Sequence, residues 1–146
     1  MNKRGFTLIE VLLSVGVITL IAGITIPVYL AYANRNDLTE IQYAAASGLR
    51  RAATYSRAMN SDSQWGVAVA NNAMTLFKGD SYSGRDTTYD ESTPLPSTIT
   101  VSGLTEIIFA KRTGLPNIIG TITLHSNAVN ESKQITINGK GVVSYE

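Results

Sequence analysis

The sequence predicts an α+β fold in which one long N-terminal helix, transmembrane over its first half, packs against a C-terminal antiparallel β-domain. Residues 11–33 form an uninterrupted stretch without charge that is mostly apolar. From residue 65 onward apolar residues recur with a period of two, which is typical of strands. Between these regions, apolar and small residues recur every three or four positions, which indicates one face of a helix.

The length of 146 residues suits one small domain with an N-terminal appendage. We expect a leader at residues 1–5, a transmembrane and assembly helix at 6–33, a helix continuing into a globular head at 34–62, and a β-domain at 63–146. The net charge is +1, and removal of residues 1–5 would leave 10 basic and 11 acidic side chains. This balance gives no global reason to expect nucleic acid or anionic lipid as a partner.

The chain contains no cysteine and a single histidine, His125. Disulfides, thiol chemistry, thiolate metal sites and multi-histidine metal sites are therefore excluded. The absence of disulfides does not exclude a location outside the cytoplasm, because a fold can be stable without them.

The apolar stretch is long enough to cross a membrane. A helix over residues 11–33 would measure about 34 Å, against roughly 30 Å of hydrocarbon. Lys3 and Arg4 precede it, which predicts that the N-terminus stays cytoplasmic and the head lies outside. A secretory signal would be shorter, although Ala-Tyr-Ala at 31–33 loosely fits a cleavage site. A lipoprotein signal needs a cysteine, and a plain signal anchor leaves Glu10 unexplained.

Glu10 lies at the edge of the apolar stretch. A carboxylate there costs roughly 2.5–3.5 kcal/mol if it reaches the bilayer centre, and less near the interface. A cut after Gly5 would create a partner, because Phe6 would then carry a new amino group four residues away. That amine could pair with Glu10 of its own chain or of a neighbour, and the second pairing would set the register of a helical bundle.

The string Gly-Phe-Thr-Leu-Ile-Glu at residues 5–10 follows a short basic leader and precedes an apolar helix. It resembles the class III signal of type IV pilins and type II secretion pseudopilins. The resemblance implies a pilin-like fold, a cut between Gly5 and Phe6 by prepilin peptidase, and methylation of the Phe6 amine. It also implies that Glu10 is the assembly glutamate, and Pro27 falls where family members commonly carry a helix-breaking proline.

The same resemblance implies a structural filament subunit and not an enzyme. Its partners would be prepilin peptidase, other pilin or pseudopilin subunits and, before assembly, the lipid of the bacterial inner membrane. The subunit would cross that membrane once, with its head outside the cytoplasm, and then enter a pilus or pseudopilus. The resemblance implies no cofactor.

Gly23 and Pro27 interrupt the apolar helix. Both residue types are common in membrane helices, so a simple kink and a functional melting point remain alternatives. Pro27 removes one backbone donor and obstructs the carbonyl of Gly23. We predict a bend or local unwinding over residues 23–27 in a filament and a gentler kink in the monomer.

Beyond the membrane, Asn36 or Asp37 could cap a further helical portion. The helix would run from residue 6 to about 59. Its packing stripe is predicted at Leu38, Ile41, Ala45, Leu49, Ala52 and Ser56. Arg50, Arg51 and Arg57 lie largely off this stripe, which indicates a solvated helix flank more than a nucleic-acid surface, since no aromatic stacking platform accompanies them.

The C-terminal half predicts about seven short strands in a meander. The predicted strands are residues 65–70, 74–78, 98–102, 105–110, 120–125, 133–137 and 142–145. Asn71-Asn72 is predicted as a turn, residues 79–97 as a polar loop, and Asn138-Gly139 as a tight hairpin, because both residue types tolerate positive φ.

A narrower resemblance covers most of the chain with short elements. Ser-Arg-Ala-Met-Asn at 56–60, Trp-Gly-Val at 65–67 and Gly114 carry it, together with the apolar strands at 107–109, 120–124, 135–137 and 141–143. Their order is similar to that of GspH/FimT-like minor pseudopilins and minor pilins. Major pilins often have a disulfide-closed loop that this chain cannot form, which favours a minor subunit. A major pilin is the alternative.

The sequence offers two further candidate sites, an acidic loop and a histidine. The loop at 79–97 carries Asp80, Asp86, Asp90 and Glu91. Oxygen-rich loops can hold calcium and some pseudopilins bind it, but the spacing matches no compact calcium loop and favours a solvated loop. His125 is followed by a serine, yet no activated nucleophile or Gly-x-Ser-x-Gly elbow accompanies it, so an exposed or capping histidine is favoured.

Lys111, Arg112, Lys133 and Lys140 suggest a small basic patch. Because some minor pilins of this type help to take up DNA, a DNA-binding minor pilin at the filament tip is a second alternative. If these residues contact DNA phosphates, the affinity for DNA should fall steeply as the salt concentration rises. The sequence contains no phosphate loop and no convincing carboxylate dyad, so we expect the protein to be the substrate of an enzyme and not an enzyme.

Overall fold

The computed structural model describes residues 5–146, so the leader residues Lys3 and Arg4 lie outside the described part. One helix, α1, spans Leu8–Arg57. The chain divides into two compact units, Met1–Ala33 and Asn34–Glu146. The expected α+β, pilin-like class is confirmed, since the helix packs against antiparallel sheets within the second unit.

In the first unit, serine and threonine side chains within the helix bond to its own backbone. Three hydroxyls donate to the carbonyl oxygen four residues earlier: Ser14 to Glu10 at 2.7 Å, Thr19 to Val15 at 2.8 Å and Thr25 to Ile21 at 2.8 Å. Such bonds remove the need for water at a polar side chain, which is what an apolar surrounding requires.

Helix α1 is continuous through Gly23 and Pro27. It is also continuous through Asn36 and Asp37, so neither residue caps a separate helix, and that expectation is wrong. Unwinding over residues 23–27 was predicted for the filament and stays a prediction. The missing N–H of Pro27 makes the preceding turn the weakest part of the hydrogen-bond ladder.

The second half of α1 presents its predicted stripe to the core of the second unit. All six predicted positions are buried, which confirms the helical periodicity. The structure adds three buried neighbours: Gln42, Ala46 and Ala53. Gln42 is 2% exposed, and its Nε2 donates to the main-chain oxygens of Gln134 at 3.1 Å and Glu146 at 2.6 Å. This bond pair explains how a polar side chain lies in the packed face.

Eight strands follow a short 3₁₀ turn at Asn60–Asp62. They are β1 Trp65–Ala70, β2 Ala73–Lys78, β3 Asp86–Pro94, β4 Ile99–Gly103, β5 Glu106–Phe109, β6 Gly120–Ser126, β7 Glu131–Ile137 and β8 Val143–Tyr145. They form two four-stranded antiparallel sheets, in the orders β3-β2-β1-β5 and β4-β6-β7-β8. The expected simple meander is therefore wrong, because the chain enters the second sheet at β4, returns to the first at β5 and leaves it again at β6.

Of the two predicted turns, at 71–72 and 138–139, the first is confirmed and the second is wrong. Asn71 and Asn72 both have positive φ, 51° and 56°, which confirms a two-residue hairpin turn. The prediction at 138–139 is wrong. Ile137 pairs with Val143 across a five-residue loop, the left-handed residue is Gly141 at φ 75°, and the Asn138 Oδ1 accepts from the N–H groups of Lys140 and Val142.

The predicted loop at 79–97 is also partly wrong, because it contains β3. That strand pairs with β2 over Ala73↔Pro94 to Leu76↔Glu91 and again at Lys78↔Asp86, with a register shift between. Its residues are exposed except for Asp90, which is intermediate, so it lies at the sheet edge without an apolar face.

One hydrophobic core joins the helix to both sheets. Leu49, Phe109, Leu124 and Ile135 are each fully buried within it. A small second cluster on the opposite face of the first sheet contains Ala68, Phe77 and Ile108.

Candidate processing and assembly site

The predicted cleavage position precedes the helix. Gly5, Phe6 and Thr7 have no helical assignment, and α1 begins at Leu8. A Cβ placed on Gly5 would meet no atom within 4 Å. The fold of this chain therefore does not demand glycine at position 5, so any such demand would come from a partner that binds this segment.

Thr7 is the N-cap of α1. Its Oγ1 accepts from the Glu10 N–H at 3.3 Å, and its carbonyl accepts from the N–H groups of Glu10 at 3.2 Å and Val11 at 3.3 Å. A hydroxyl in this position satisfies a backbone donor that a helix leaves free at its start. Sequence reasoning missed this role, although Thr-x-x-Glu before an apolar run is the capping-box pattern.

Glu10 lies in the first turn of α1 and is exposed. Three residues after the N-cap, its negative charge stands at the positive end of the helix dipole, which stabilises a helix by about 0.3–1 kcal/mol at exposed sites. Glu10 therefore has an intrachain role besides any pairing with an amine.

Large apolar side chains cover the helix of the first unit on all sides. Phe6, Leu13 and Ile18 are 83%, 69% and 65% exposed, and the pattern continues to Tyr32. A helix that is apolar all round belongs in a membrane or inside a bundle. By length and composition α1 can cross a membrane, which is consistent with membrane anchoring.

Pro27 lies within the same apolar helix but far from the start of it. Seventeen residues separate it from Glu10, or about 25 Å along a helix. Gly5, Phe6 and Glu10 thus lie within six consecutive residues at the start of α1, and Pro27 is a separate feature.

Three of the four acidic residues at 80–91 are paired with basic side chains. The ion pairs are Asp86–Lys78 at 3.7 Å, Asp90–Arg85 at 2.7 Å and Glu91–Arg51 at 2.5 Å. Asp80 is exposed. Within residues 5–146, no group of three or more acidic, histidine or cysteine side chains could hold a metal ion.

Contacts of these side chains shift the pKa values of three groups. The hydrogen bond from Arg51 to Glu91 is the main cause that raises the pKa of Arg51 above its usual range. The bond between Arg85 and Asp90 raises the pKa of Arg85. Hydrogen bonds from Thr88 lower the pKa of Asp86. The acidic side chains of β3 therefore connect this edge strand to the helix, to β2 and to the preceding loop.

His125 lies on β6 opposite Ser132 of β7. Its Nδ1 is 2.9 Å from the Ser132 Oγ. This contact is a cross-strand side-chain pair of the kind that stabilises a sheet.

The basic residues are largely occupied by structural contacts. Arg50 donates to the Val143 carbonyl at 2.9 Å, and Arg57 donates to the carbonyls of Thr113 at 3.2 Å and Lys140 at 3.3 Å. Both arginines are exposed, as expected for a solvated helix flank, and the structure adds these hydrogen bonds to main-chain carbonyls. Lys111 pairs with Asp62 at 2.5 Å. Lys133 lies on β7, two residues from Glu131 at the opposite end of that strand from the 138–142 loop.

Residues that carried the narrower resemblance meet at the end of α1. The Ser56 Oγ accepts from the Trp65 N–H at 2.9 Å, and the Trp65 Nε1 donates to the Asn60 carbonyl at 3.0 Å. Gly114, at φ 63°, lies so close to Arg57 and the Ala53 carbonyl that a Cβ would collide with both. This motif is thus the junction of helix, β1 and the loop after β5.

Residues 1–26 match a family model described as the prokaryotic N-terminal methylation motif. The chain carries a type IV pilin-like N-terminus. The match includes Gly5, Phe6 and Glu10, and it ends before Pro27 and the second unit. No curated protein matches the chain. No solved structure matches it either.

Proposed function

We propose that the chain is a minor structural subunit of a type IV pilus or a type II secretion pseudopilus. One observation carries this proposal: the methylation-motif residues 5–10 span the start of a helix whose first half is apolar on all sides. Such a helix needs an apolar environment, and a membrane followed by a bundle of like helices supplies one at each stage.

In this mechanism, prepilin peptidase cuts between Gly5 and Phe6. Both residues lie outside helix α1. A segment that a peptidase binds as its substrate must likewise be non-helical. The cut creates an amine on Phe6, which is methylated, one residue before the N-cap Thr7. Glu10 then faces two positive groups, the amine and the helix N-terminus, and a neighbour's amine can replace its own.

The minor rank is supported by the second unit. Its core is built without cysteine, and the order of its elements is similar to that of GspH/FimT-like subunits. The amount of this chain in purified filaments distinguishes a minor subunit from a major one. A major subunit would dominate the filament, whereas a minor one would be present at a small fraction of the main subunit.

Glu10→Val tests the mechanism in cells that make the filament. We expect membrane insertion and cutting to persist, because neither the apolar helix nor the Gly5–Phe6 bond changes, and incorporation into sheared filaments to fall. Mass spectrometry of the N-terminus reports cutting and methylation, and immunoblotting of filament fractions reports incorporation.

Asp80→Asn is the matched control, because it removes an exposed carboxylate of the second unit and should leave incorporation unchanged. If the Glu10→Val variant enters filaments as well as the parent chain does, Glu10 does not set register. If the parent chain is neither cut nor methylated, the proposed function itself fails.

A further inference from the structure

The apolar half of α1 carries two kinds of hydroxyl side chain. Tyr29 and Tyr32 are 67% and 64% exposed, and in the described residues 5–146 neither phenol hydroxyl has a hydrogen-bond partner. A phenol hydroxyl lies too far from its own backbone to reach the carbonyl four residues earlier. The serine and threonine hydroxyls of this half do reach it, those of Ser14, Thr19 and Thr25. Because an unpaired hydroxyl is costly in hydrocarbon, the two tyrosines need water or lipid headgroups and the other three hydroxyls do not.

The two tyrosines lie about one hydrocarbon thickness away from Glu10. Tyr29 and Tyr32 follow Glu10 by 19 and 22 positions, which correspond to about 29 and 33 Å along a helix. The hydrocarbon core of a bilayer is roughly 30 Å thick. When Glu10 lies at the cytoplasmic interface, the tyrosines therefore reach the opposite interface.

The two tyrosine rings share one face of the helix. They are three positions apart, and both line a shallow apolar groove with Ile24, Thr25 and Val28. Tyrosine is enriched at the membrane–water interface, because its ring is apolar and its hydroxyl is polar. The composition of this face therefore changes from aliphatic to aromatic at the depth where hydrocarbon gives way to headgroups.

The cation nearest to the tyrosines in the sequence is already paired. Arg35 follows Tyr32 by three positions, and its Nε donates to the Glu131 Oε1 at 2.8 Å. Its Nη2 lies 2.8 Å from the same oxygen. Basic side chains next to a membrane helix commonly interact with lipid phosphates, but a carboxylate of the second unit already balances this charge. The outer boundary is therefore left to the aromatic pair.

We propose that Tyr29 and Tyr32 lie in the outer headgroup layer of the phospholipid bilayer before assembly and set the depth of α1 in it. Glu10 marks the inner boundary. A shift of the helix towards its head moves the Glu10 carboxylate into the hydrocarbon, and a shift the other way moves the phenol hydroxyls into it. This proposal rests on the proposed function, which requires α1 to cross a membrane.

Tryptophan fluorescence measures the depth. The full chain receives one new tryptophan, at Tyr32 or at Leu20 near the middle of the span, and is reconstituted in phosphatidylcholine vesicles. The parent chain, whose single tryptophan Trp65 is buried in the second unit, supplies the background. We expect Tyr32→Trp to be quenched severalfold more by lipids brominated next to the headgroup than by lipids brominated near the chain end. Leu20→Trp should show the reverse order.

Two outcomes of this measurement separate the proposals. If Tyr32→Trp is quenched with the same depth preference as Leu20→Trp, or by neither lipid, the tyrosines do not lie at the interface and the present proposal is overturned. If Leu20→Trp is quenched by neither lipid, the helix does not enter the bilayer, and the proposed function fails as well.

Thiol labelling tests whether the tyrosines themselves set this depth. The chain has no cysteine, so Ala33→Cys introduces a single thiol one residue beyond Tyr32. Its reaction with a membrane-impermeant maleimide is measured in the same vesicles, relative to the same sample dissolved in SDS. We expect Tyr29→Leu combined with Tyr32→Leu to lower this labelling severalfold, because leucines draw the end of the span into the hydrocarbon. Tryptophan at both positions should restore it, since tryptophan also favours the interface.

Tyr43→Leu is the matched control, because Tyr43 is an exposed tyrosine of the same helix within the second unit. That change should leave the labelling of Ala33→Cys as it is in the parent background. Equal labelling with both tyrosines present and with both replaced by leucine overturns the proposal, even when deep quenching of Leu20→Trp supports the membrane crossing.

Discussion

Replacing Ser56 with alanine should selectively weaken the junction at the end of α1. The Ser56 side chain is 0% exposed, and its Oγ accepts the Trp65 N–H at 2.9 Å. The Ser56 carbonyl accepts from the Arg112 N–H at 2.9 Å and would be unaffected. The substitution therefore removes one buried acceptor and leaves the rest of the junction in place.

The expected loss follows from the orphaned donor. A buried N–H without a partner costs about 1–3 kcal/mol, which for a unit of this size corresponds to about 4–12 °C in Tm. Trp65 is the single tryptophan of the chain and is 3% exposed. Its fluorescence during urea or thermal unfolding in detergent micelles therefore reports on the same junction.

Ser47→Ala is the matched control, because Ser47 is an exposed serine on the same helix. That change should alter the free energy of unfolding by no more than about 0.5 kcal/mol. If the Ser56→Ala and Ser47→Ala variants unfold at the same urea concentration, the Ser56 hydroxyl does not support the junction and the reasoning is refuted.

Further predictions concern the N-cap residue Thr7, the pKa of Asp86 and the close packing around Gly66. Thr7→Ala should cost about 0.5–2 kcal/mol of helix stability, seen as faster amide exchange in the first turn, whereas Thr7→Ser should exchange like the parent. Because Thr88 lowers the pKa of Asp86, Asp86 stabilises the fold above its unfolded pKa of about 4 and loses that contribution as pH falls through the lower folded value. In NMR titration Thr88→Val should raise this pKa, and an unchanged value would contradict the assignment. Gly66→Ala should destabilise by about 1–3 kcal/mol, since its Cβ would lie 2.7 Å from a main-chain oxygen. Gly139→Ala, which meets nothing closer than 4.0 Å, is its control, and equal stability of the two would contradict the packing argument.

The sequence by itself determined the helix and the stripe it buries. The predicted stripe through Leu38, Ala45 and Leu49 is buried in the structure, because a helix has a single repeat and turns one face towards the core. The string at residues 5–10 likewise predicted the segment that the methylation-motif match covers. In both cases the signal is local, so it can be recognised without knowing what packs against it.

Local signals failed where contacts between distant residues decide. Strand β3 was missed because its exposed residues show no apolar alternation, and it exists because β2 offers it a pairing edge. The Asn-Gly signal at 138–139 was overridden, because the Asn138 side chain accepts two loop N–H groups while Gly141 takes the left-handed conformation.

Only the tertiary structure decided how the strands divide between two sheets and which charges are occupied. Arg57 is exposed, as the sequence predicts, but only the structure shows that its guanidinium donates to the carbonyls of two loops. The physical reason is that sheet membership and surface composition depend on contacts between residues that are tens of positions apart in the sequence. Helix periodicity and a terminal motif depend only on residues that are close together in the sequence.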